Sequence, residues 1–250
     1  MMRLDRYLSA CRALTRSQSV RAVREGRVQV NGQIQKKADF KIDEQKDAVL
    51  LDGTVCQYQK EHSYLLNKPA GVVTASRDRS QKTVLDLFPP EIRKQGIFPV
   101  GRLDKDTTGL LLLTTDGDLA HRILAPRYEV EKCYRVHIEG TLSGADVERF
   151  RKGLTLGDGT VCLPALLSIL SPQDALVRIH EGKYHQVRRM FASVGKPVLE
   201  LERIAVGGLM LEDNLRRGEF LELTEKDLCI LFKSDNWRNS QKTDGDLPAF

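Results

Sequence analysis

The feature that most constrains this chain is a polar turn that leads directly into a run of four leucines. Residues 101–110 read GRLDKDTTGL, and the run continues through residue 113. Such an apolar run predicts a buried strand. Asp104 would then sit on a turn that a rigid strand holds in place, where a substrate can still reach its carboxylate. The simpler interpretation is that Asp104 and Asp106 are solvated turn residues.

Two other kinds of site share parts of this string. The spacing of Asp104, Asp106 and Thr108 resembles the start of a calcium-binding EF-hand loop. The twelfth position of that loop requires a glutamate and is Thr115 here, which excludes it. Asp-x-Asp-x-Thr also occurs in aspartyl phosphatases of the haloacid dehalogenase type, where the aspartate ends an apolar strand. Here the long apolar run follows the aspartates, so the phosphatase remains a weaker alternative.

Composition bounds the class of protein. A chain of 250 residues with 29% charged and 41% hydrophobic residues favours a soluble globular protein with one large and one small domain. No stretch approaches the roughly 18 consecutive apolar residues of a membrane span, and the first residues lack the apolar core of a secretory signal. The five cysteines are scattered without a Cys-x-x-Cys pair. We therefore expect a cytoplasmic protein without membrane, zinc or disulfides.

The net charge of +5 is unevenly distributed. Residues 1–41 contain ten Lys or Arg against three acidic residues, whereas the remaining 209 residues contain 29 basic and 31 acidic ones. A cationic N-terminal segment on a nearly neutral body indicates an anionic polymer as partner. A merely solvated basic surface is the alternative.

The N-terminal segment has the pattern of a small domain over residues 1–58. Apolar residues at helical spacing predict a helix over 3–12, and Thr15 or Ser17 can cap a second helix that ends at Gly26. Alternating valines and Asn31-Gly32 then predict a strand and a tight turn.

The rest of the chain reads as a larger domain over residues 59–233. Residues 63–74 predict a strand, a Pro-Gly turn and a second strand, and residues 184–194 predict a helix. Many short strands with helices interspersed favour an α+β fold with a largely antiparallel sheet and flanking helices. Residues 234–250 are polar and predict a disordered tail.

Several motifs together resemble the pseudouridine synthases, and most closely those of the RsuA type, which act on small-subunit ribosomal RNA. The string GRLDKDTTGL resembles their catalytic motif, EKCY at 131–134 their second motif, and EGKYHQVRRMF at 181–191 their third. NKP at 67–69 resembles the opening of their catalytic domain. MRLDRYL at 2–8 and RVQVNG at 27–32 resemble an RNA-binding domain named after a small-subunit ribosomal protein, which several of these enzymes carry at the N-terminus.

The resemblance implies a mixed sheet with the active-site cleft across its middle, and it assigns roles to four residues. Asp104 would be the nucleophile, and Arg188 would form an ion pair with it. Tyr134 would lie against the target base, and Arg102 would fill the space that a flipped-out base leaves, although a phosphate contact is equally compatible. The isomerisation needs no metal or redox cofactor.

The same resemblance implies an RNA partner, either ribosomal RNA or a small-subunit assembly intermediate, and we expect a monomer. Further RNA contacts are expected from Lys183, His185 and Arg189, and from Arg16, Arg21 and Arg24 on the second helix. An RNA-binding or assembly factor without catalysis would share the basic N-terminal segment but would not need Asp104. It remains the alternative from another class.

Overall fold

The computed structural model describes residues 1–11, 14–44, 46–56 and 61–232. The chain divides into two compact units, Met1–Glu61 and His62–Phe250. The sequence placed this division at residue 58, and its predicted tail over 234–250 lies outside the described residues. Among the described residues, no helix is long and apolar enough to cross a membrane, and no group of three or more His, Cys, Asp or Glu has an arrangement that would hold a metal ion.

The first unit packs two helices against short strands. Its elements are β1 (Met2–Arg3), α1 (Leu4–Ala10), α2 (Arg16–Arg24), β2 (Val28–Val30), β3 (Gln33–Ile34), β4 (Lys41–Ile42), β5 (Val49–Leu51) and β6 (Thr54–Val55). Strand β1 pairs with β4, and a second sheet has the order β3-β2-β5-β6. The helices form where the apolar spacing predicts them, and the hydroxyl of Thr15 accepts a hydrogen bond from the Gln18 amide to cap α2.

The second unit is built on one large sheet. Its strands are β7 (Ser63–Lys68), β8 (Phe98–Pro99), β9 (Thr108–Thr114), β10 (Lys132–Ile138), β11 (Leu166–Ile169), β12 (Asp174–Ile179), β13 (Val198–Val206), β14 (Leu209–Met210) and β15 (Phe220–Glu222). Its α-helices are α3 (Pro90–Arg93), α4 (Gly117–Leu124), α5 (Gly144–Lys152), α6 (Gln186–Ser193) and α7 (Glu225–Leu231), with 3-10 turns at Val84–Leu87 and Pro126–Tyr128.

The sheet is mixed but largely antiparallel, as the sequence predicted. Its strand order is β11-β12-β10-β13-β9-β7-β15, with β14 on β13 and β8 on β9. The β9–β13 pair is parallel, and the other strand pairs of this sheet are antiparallel.

The four leucines of the opening motif are buried in β9, near the middle of this sheet. Leu111 and Leu113 face a core that α5 and α6 cover, whereas Leu110 and Leu112 face a core that α4 and α7 cover. Each buried leucine contributes about 1.5–3 kcal/mol relative to an exposed one. The predicted buried strand is confirmed, and it fixes the end of the turn that carries Asp104.

One sequence prediction is wrong and one is shifted. Residues 72–74 do not form a second strand beside β7 but make only an isolated bridge between Val73 and Thr83. Both edges of β7 are already occupied, by β9 and β15, so no position remains for a hairpin partner. The helix predicted over 184–194 begins at Gln186, because His185 has a left-handed backbone with φ of 47°.

Gly109 occupies a position that other residues cannot take without strain. Its φ is +98°, and a Cβ added there would lie 2.3 Å from the backbone oxygen of Arg203, its partner across the β9–β13 pair. We predict that Gly109→Ala lowers the free energy of unfolding of the second unit by about 3 kcal/mol, through left-handed strain and overpacking. Urea unfolding, monitored by far-UV circular dichroism, measures this loss of free energy.

Gly157→Ala is the matched control, because Gly157 has open space around its Cα and no positive φ. It should change the free energy of unfolding by no more than about 0.5 kcal/mol. An equal loss in the two variants would contradict the account of the β9–β13 contact.

Lys132 makes the stability of the second unit depend on pH in the alkaline range. Its side chain is buried, and its ammonium donates a hydrogen bond to the Val130 backbone oxygen at 2.7 Å. Burial, with a smaller contribution from the nearby Arg203 guanidinium, lowers the pKa of Lys132 to about 8. In the unfolded chain a lysine has a pKa of about 10.4, so the unfolded state binds this proton more tightly than the folded state does. Stability from this group is therefore present at high pH and is lost as the pH falls through about 8.

We predict that Lys132→Met flattens the rise in the free energy of unfolding between pH 8 and 10, by an amount on the order of 1–3 kcal/mol. Urea titrations at several pH values in this range measure the slope. Lys82→Met, at an exposed lysine, should keep the wild-type slope, and a slope that is unchanged in Lys132→Met would contradict the lowered pKa.

Candidate active site

The loop that carries Asp104 is tied to the segment after β7. The Thr74 hydroxyl donates to the Leu103 backbone oxygen at 2.7 Å and accepts from the Leu103 amide at 3.2 Å. Thr74 is itself buried. Both backbone groups of the residue before Asp104 are therefore fixed by one side chain.

Lys68, the last residue of β7, holds the other side of this loop. Its ammonium is fully buried and donates to three backbone oxygens, those of Pro69 at 3.0 Å, Lys105 at 3.0 Å and Thr107 at 2.9 Å. Burial lowers the pKa of Lys68 to about 8, although the carboxylates of Asp106 and Asp104 oppose the shift. The residues on both sides of Asp104 are thus held by buried hydrogen bonds, so the position of its carboxylate is preorganised.

The Asp104 carboxylate faces two side chains from the start of α6. Its Oδ1 lies 3.3 Å from Nε2 of His185, and its Oδ2 lies 4.0 Å from Nε of Arg188. Arg188 is oriented by a 3.1 Å hydrogen bond from Nη1 to the Val198 backbone oxygen. The Asp104 side chain is 33% exposed, which makes the carboxylate reachable from solvent.

A small cleft, with a cavity volume of about 70 Å³ and open to solvent, lies beside this carboxylate. Tyr134, on β10, lines it together with Arg102, Thr107 and Lys183. Only 9% of Tyr134 is exposed, so the tyrosine forms part of the buried wall. A concave site with a few convergent polar groups is the default candidate for a binding site.

Two of the cations predicted to contact RNA have carboxylate partners within the protein. Lys183 pairs with Glu181, and Arg189 lies 2.5 Å from a carboxylate oxygen of Asp158. Their charges are partly compensated, so their expected contacts with RNA stay predictions. Of the site residues that the sequence predicted in this unit, Asp104, Tyr134, Arg102, Lys183 and His185 line the cleft. Arg188 approaches Asp104 without lining the cleft, and Arg189 is not among the lining residues.

The three arginines predicted to bind RNA in the first unit lie on α2 and are exposed. Arg21 pairs with Glu25 at 2.7 Å, and Arg16 lies 3.9 Å from the buried Asp5. Their helical positions lie within about 140° of arc. They form one basic face of α2 on which phosphate contacts remain expected.

Sequence reasoning missed the two side chains that hold the Asp104 loop. Lys68 did carry a signal, because it is the single cation of the strand Ser63–Lys68 and stands at its end. A charged residue is buried only with partners, so a lysine in a buried strand indicates partners within the protein. Thr74 carried none, because a buried threonine after a turn cannot be told from an exposed one by pattern. Gln186 was also missed, and its amide links Glu181 at 2.7 Å to the start of α6.

Family profiles match both units. The profile described as RNA pseudouridylate synthase matches residues 62–193, and that of the S4 domain matches residues 2–49. A solved structure described as a pseudouridylate synthase aligns with a TM-score of 0.66 and 34% identity, and the alignment covers 92% of this chain and all of that one.

Curated relatives are similar over nearly the whole chain. The ribosomal small subunit pseudouridine synthase A of Vibrio cholerae is 37% identical, over 93% of this chain and 100% of that protein. The protein of the same name from Escherichia coli is 38% identical over 91% of this chain and 99% of its own length. An RNA pseudouridine synthase of Bacillus subtilis described as uncharacterised is 38% identical over 92% and 98%.

These matches confirm the resemblance drawn from the motifs and replace the phosphatase alternative. They extend over the loop with Asp104, the strand with Tyr134 and the start of α6 in the order along the chain that the sequence indicated. The chain belongs to the RNA pseudouridylate synthase family and carries an S4 domain at its N-terminus.

Proposed function

We propose that this enzyme isomerises a specific uridine of small-subunit ribosomal RNA to pseudouridine, with Asp104 as the nucleophile. The observation that carries the proposal is the position of the Asp104 carboxylate, which lines the cleft together with Tyr134 and lies 4.0 Å from Nε of Arg188. The names of its relatives from Vibrio cholerae and Escherichia coli support the small ribosomal subunit as the source of the substrate.

The reaction breaks the bond between N1 of uracil and C1′ of ribose and forms a bond from C5 to C1′. The hydrogen on C5 leaves as a proton, and N1 gains one. An ionised carboxylate that attacks the substrate splits this conversion into two easier steps. Attack on C1′ of the sugar and attack on the base ring both begin from the same carboxylate, and both require it to be charged.

Two side chains beside Asp104 can interact with its carboxylate during attack. The Arg188 guanidinium is permanently positive, and its Nε lies 4.0 Å from Oδ2. Nε2 of His185, at 3.3 Å, donates a hydrogen bond to the carboxylate when it carries the proton.

Tyr134 and Arg102 would handle the base. A uridine inside folded RNA must leave its stack before the carboxylate can reach it. The Tyr134 ring, on the wall of the cleft, would pack against the uracil, and its hydroxyl is a candidate for moving the C5 proton. Arg102 is exposed at the cleft and would fill the vacated space or hold a phosphate.

The first unit would bind RNA without reading its sequence. Its S4 domain and the exposed arginines Arg16, Arg21 and Arg24 support contacts to phosphates, which depend on salt concentration. Lys183, His185 and Arg189 would extend these contacts beside the cleft. The substrate would be ribosomal RNA or an assembly intermediate in the cytoplasm, and the enzyme would act as a monomer without a cofactor.

We predict that Asp104→Asn lowers the single-turnover rate by roughly a thousand-fold or more, because the amide cannot act as a nucleophile. Small-subunit ribosomal RNA transcribed with uridine tritiated at C5 provides the assay, since tritium enters water only when the new carbon bond forms. Asp106→Asn is the matched control, because Asp106 is exposed on the same loop, and it should keep a rate within a few-fold of wild type.

An RNA-binding factor without catalysis would give a different result. Wild type would release no tritium from any small-subunit transcript or assembly particle, and Asp104→Asn would bind RNA as wild type does. Equal rates in wild type and Asp104→Asn would instead show that another group is the nucleophile.

We further predict that Lys68→Met lowers kcat by roughly ten- to hundred-fold with little change in KM, because the Lys105 and Thr107 backbone oxygens of the Asp104 loop lose the donor that ties them to the end of β7. The same tritium assay under saturating and limiting RNA separates the two constants. Lys82→Met, at an exposed lysine, should behave as wild type. A variant that raises KM and leaves kcat unchanged would assign Lys68 to RNA binding and contradict its role in positioning Asp104.

A further inference from the structure

We infer that the open face of the Tyr184 ring is a stacking platform for an unpaired nucleobase directly next to the target uridine. This inference rests on the proposed function and names a feature of the RNA that the cleft would recognise. It concerns a residue to which neither the motifs nor the chemistry of Asp104 assigns a role.

Tyr184 is unusually exposed for an aromatic residue beside a cleft. It is 76% exposed, and its ring stacks on the imidazole of His185 with 3.8 Å between centroids and 20° between planes. One face of the phenol ring is therefore covered by His185. The exposure of the residue leaves the opposite face free for a second planar group.

The stack leads directly to the proposed nucleophile. Nε2 of His185 lies 3.3 Å from Oδ1 of Asp104, so only one imidazole ring separates Tyr184 from the carboxylate. A base on the open face of Tyr184 would be two stacked rings further out than His185, with the tyrosine between them. That position suits a nucleotide adjacent to the one whose uracil occupies the cleft.

The turn that presents Tyr184 is held from several sides. The Lys183 amide donates to Oε1 of Gln186 at 2.9 Å, and Nη1 of Arg189 donates to the Tyr184 backbone oxygen at 3.2 Å. His185 has a φ of 47°, a left-handed conformation that costs energy in a residue other than glycine and persists only when its surroundings enforce it. The aromatic pair is thus preorganised, which favours binding of a planar partner.

The surroundings of Tyr184 favour a nucleic acid over an apolar protein surface. Lys183 and His185, the chain neighbours of Tyr184, line the cleft together with Arg102, and all three side chains are polar and able to carry positive charge, although Lys183 is paired with Glu181. Base–aromatic stacking with cations nearby is the usual way to bind single-stranded RNA without reading its sequence. The platform would therefore require that the flanking base be unpaired rather than that it be a particular base.

The test uses the smallest fragment of small-subunit ribosomal RNA that wild type converts, tritiated at C5 of the target. We expect Tyr184→Ala to lower kcat/KM about ten-fold, and Tyr184→Phe to stay within about two-fold of wild type because it keeps the ring. Removing the base on the 5′ or the 3′ side, one at a time, should identify a flank at which wild type loses the same ten-fold and Tyr184→Ala loses nothing further.

Leu170→Ala is the control, because Leu170 is a half-exposed apolar residue that follows β11, in the hairpin at the Asp174 end of β12, whereas the cleft lies at the Ile179 end. It should match wild type. Tyr184→Ala within two-fold of wild type would overturn the inference, as would a Phe variant as impaired as the Ala variant. The inference would also be overturned if the loss caused by Tyr184→Ala and the loss caused by removing a base multiplied at both flanks.

Two further outcomes separate the alternatives. A Tyr184→Ala defect seen only on ribosomal particles and not on free RNA would overturn the inference in favour of a protein contact. Wild type that converts no uridine of small-subunit ribosomal RNA would overturn the proposed function and this inference together, whereas an active wild type with an equally active Tyr184→Ala would overturn this inference alone.

Discussion

The site depends on one buried ammonium group. Lys68 ends a strand whose residues are all buried, and it donates to three backbone oxygens around the loop that carries Asp104. Such a group is costly to bury without partners, and its lowered pKa reflects that cost. The arrangement is useful because two of the three carbonyls, those of Lys105 and Thr107, belong to the loop that must be held, while the third is that of Pro69 at the end of β7. The Thr74 hydroxyl adds a second tie at Leu103.

The carboxylate that this loop presents is matched by groups from α6. Arg188 and His185 approach its two oxygens from a helix whose start is set by the left-handed backbone of His185. The Asp104 carboxylate and its two partners therefore come from segments some 80 residues apart in the sequence of the second unit. The imidazole of His185 also stacks on the Tyr184 ring. One local backbone conformation therefore positions both the partner of the Asp104 carboxylate and the proposed platform.

Much of this was accessible from the sequence, because the informative signals were local. The four leucines predicted the buried strand β9, and Thr15 predicted the cap of α2. The predictions that failed concern features that depend on distant parts of the chain. Residues 72–74 have the composition of a strand, but β15, some 150 residues further on, occupies the edge of β7 that they would need. The contacts of Lys68 with residues 105 and 107 were hidden for the same reason.

The proposed reaction converts one uridine at a defined position of small-subunit ribosomal RNA to pseudouridine. Pseudouridine mapping of that RNA, from cells lacking the protein, is the measurement that decides whether it takes place. We expect one position to lose its pseudouridine and to regain it on complementation with wild type but not with Asp104→Asn. A map identical to that of the parent cells, or restoration by Asp104→Asn, would contradict it.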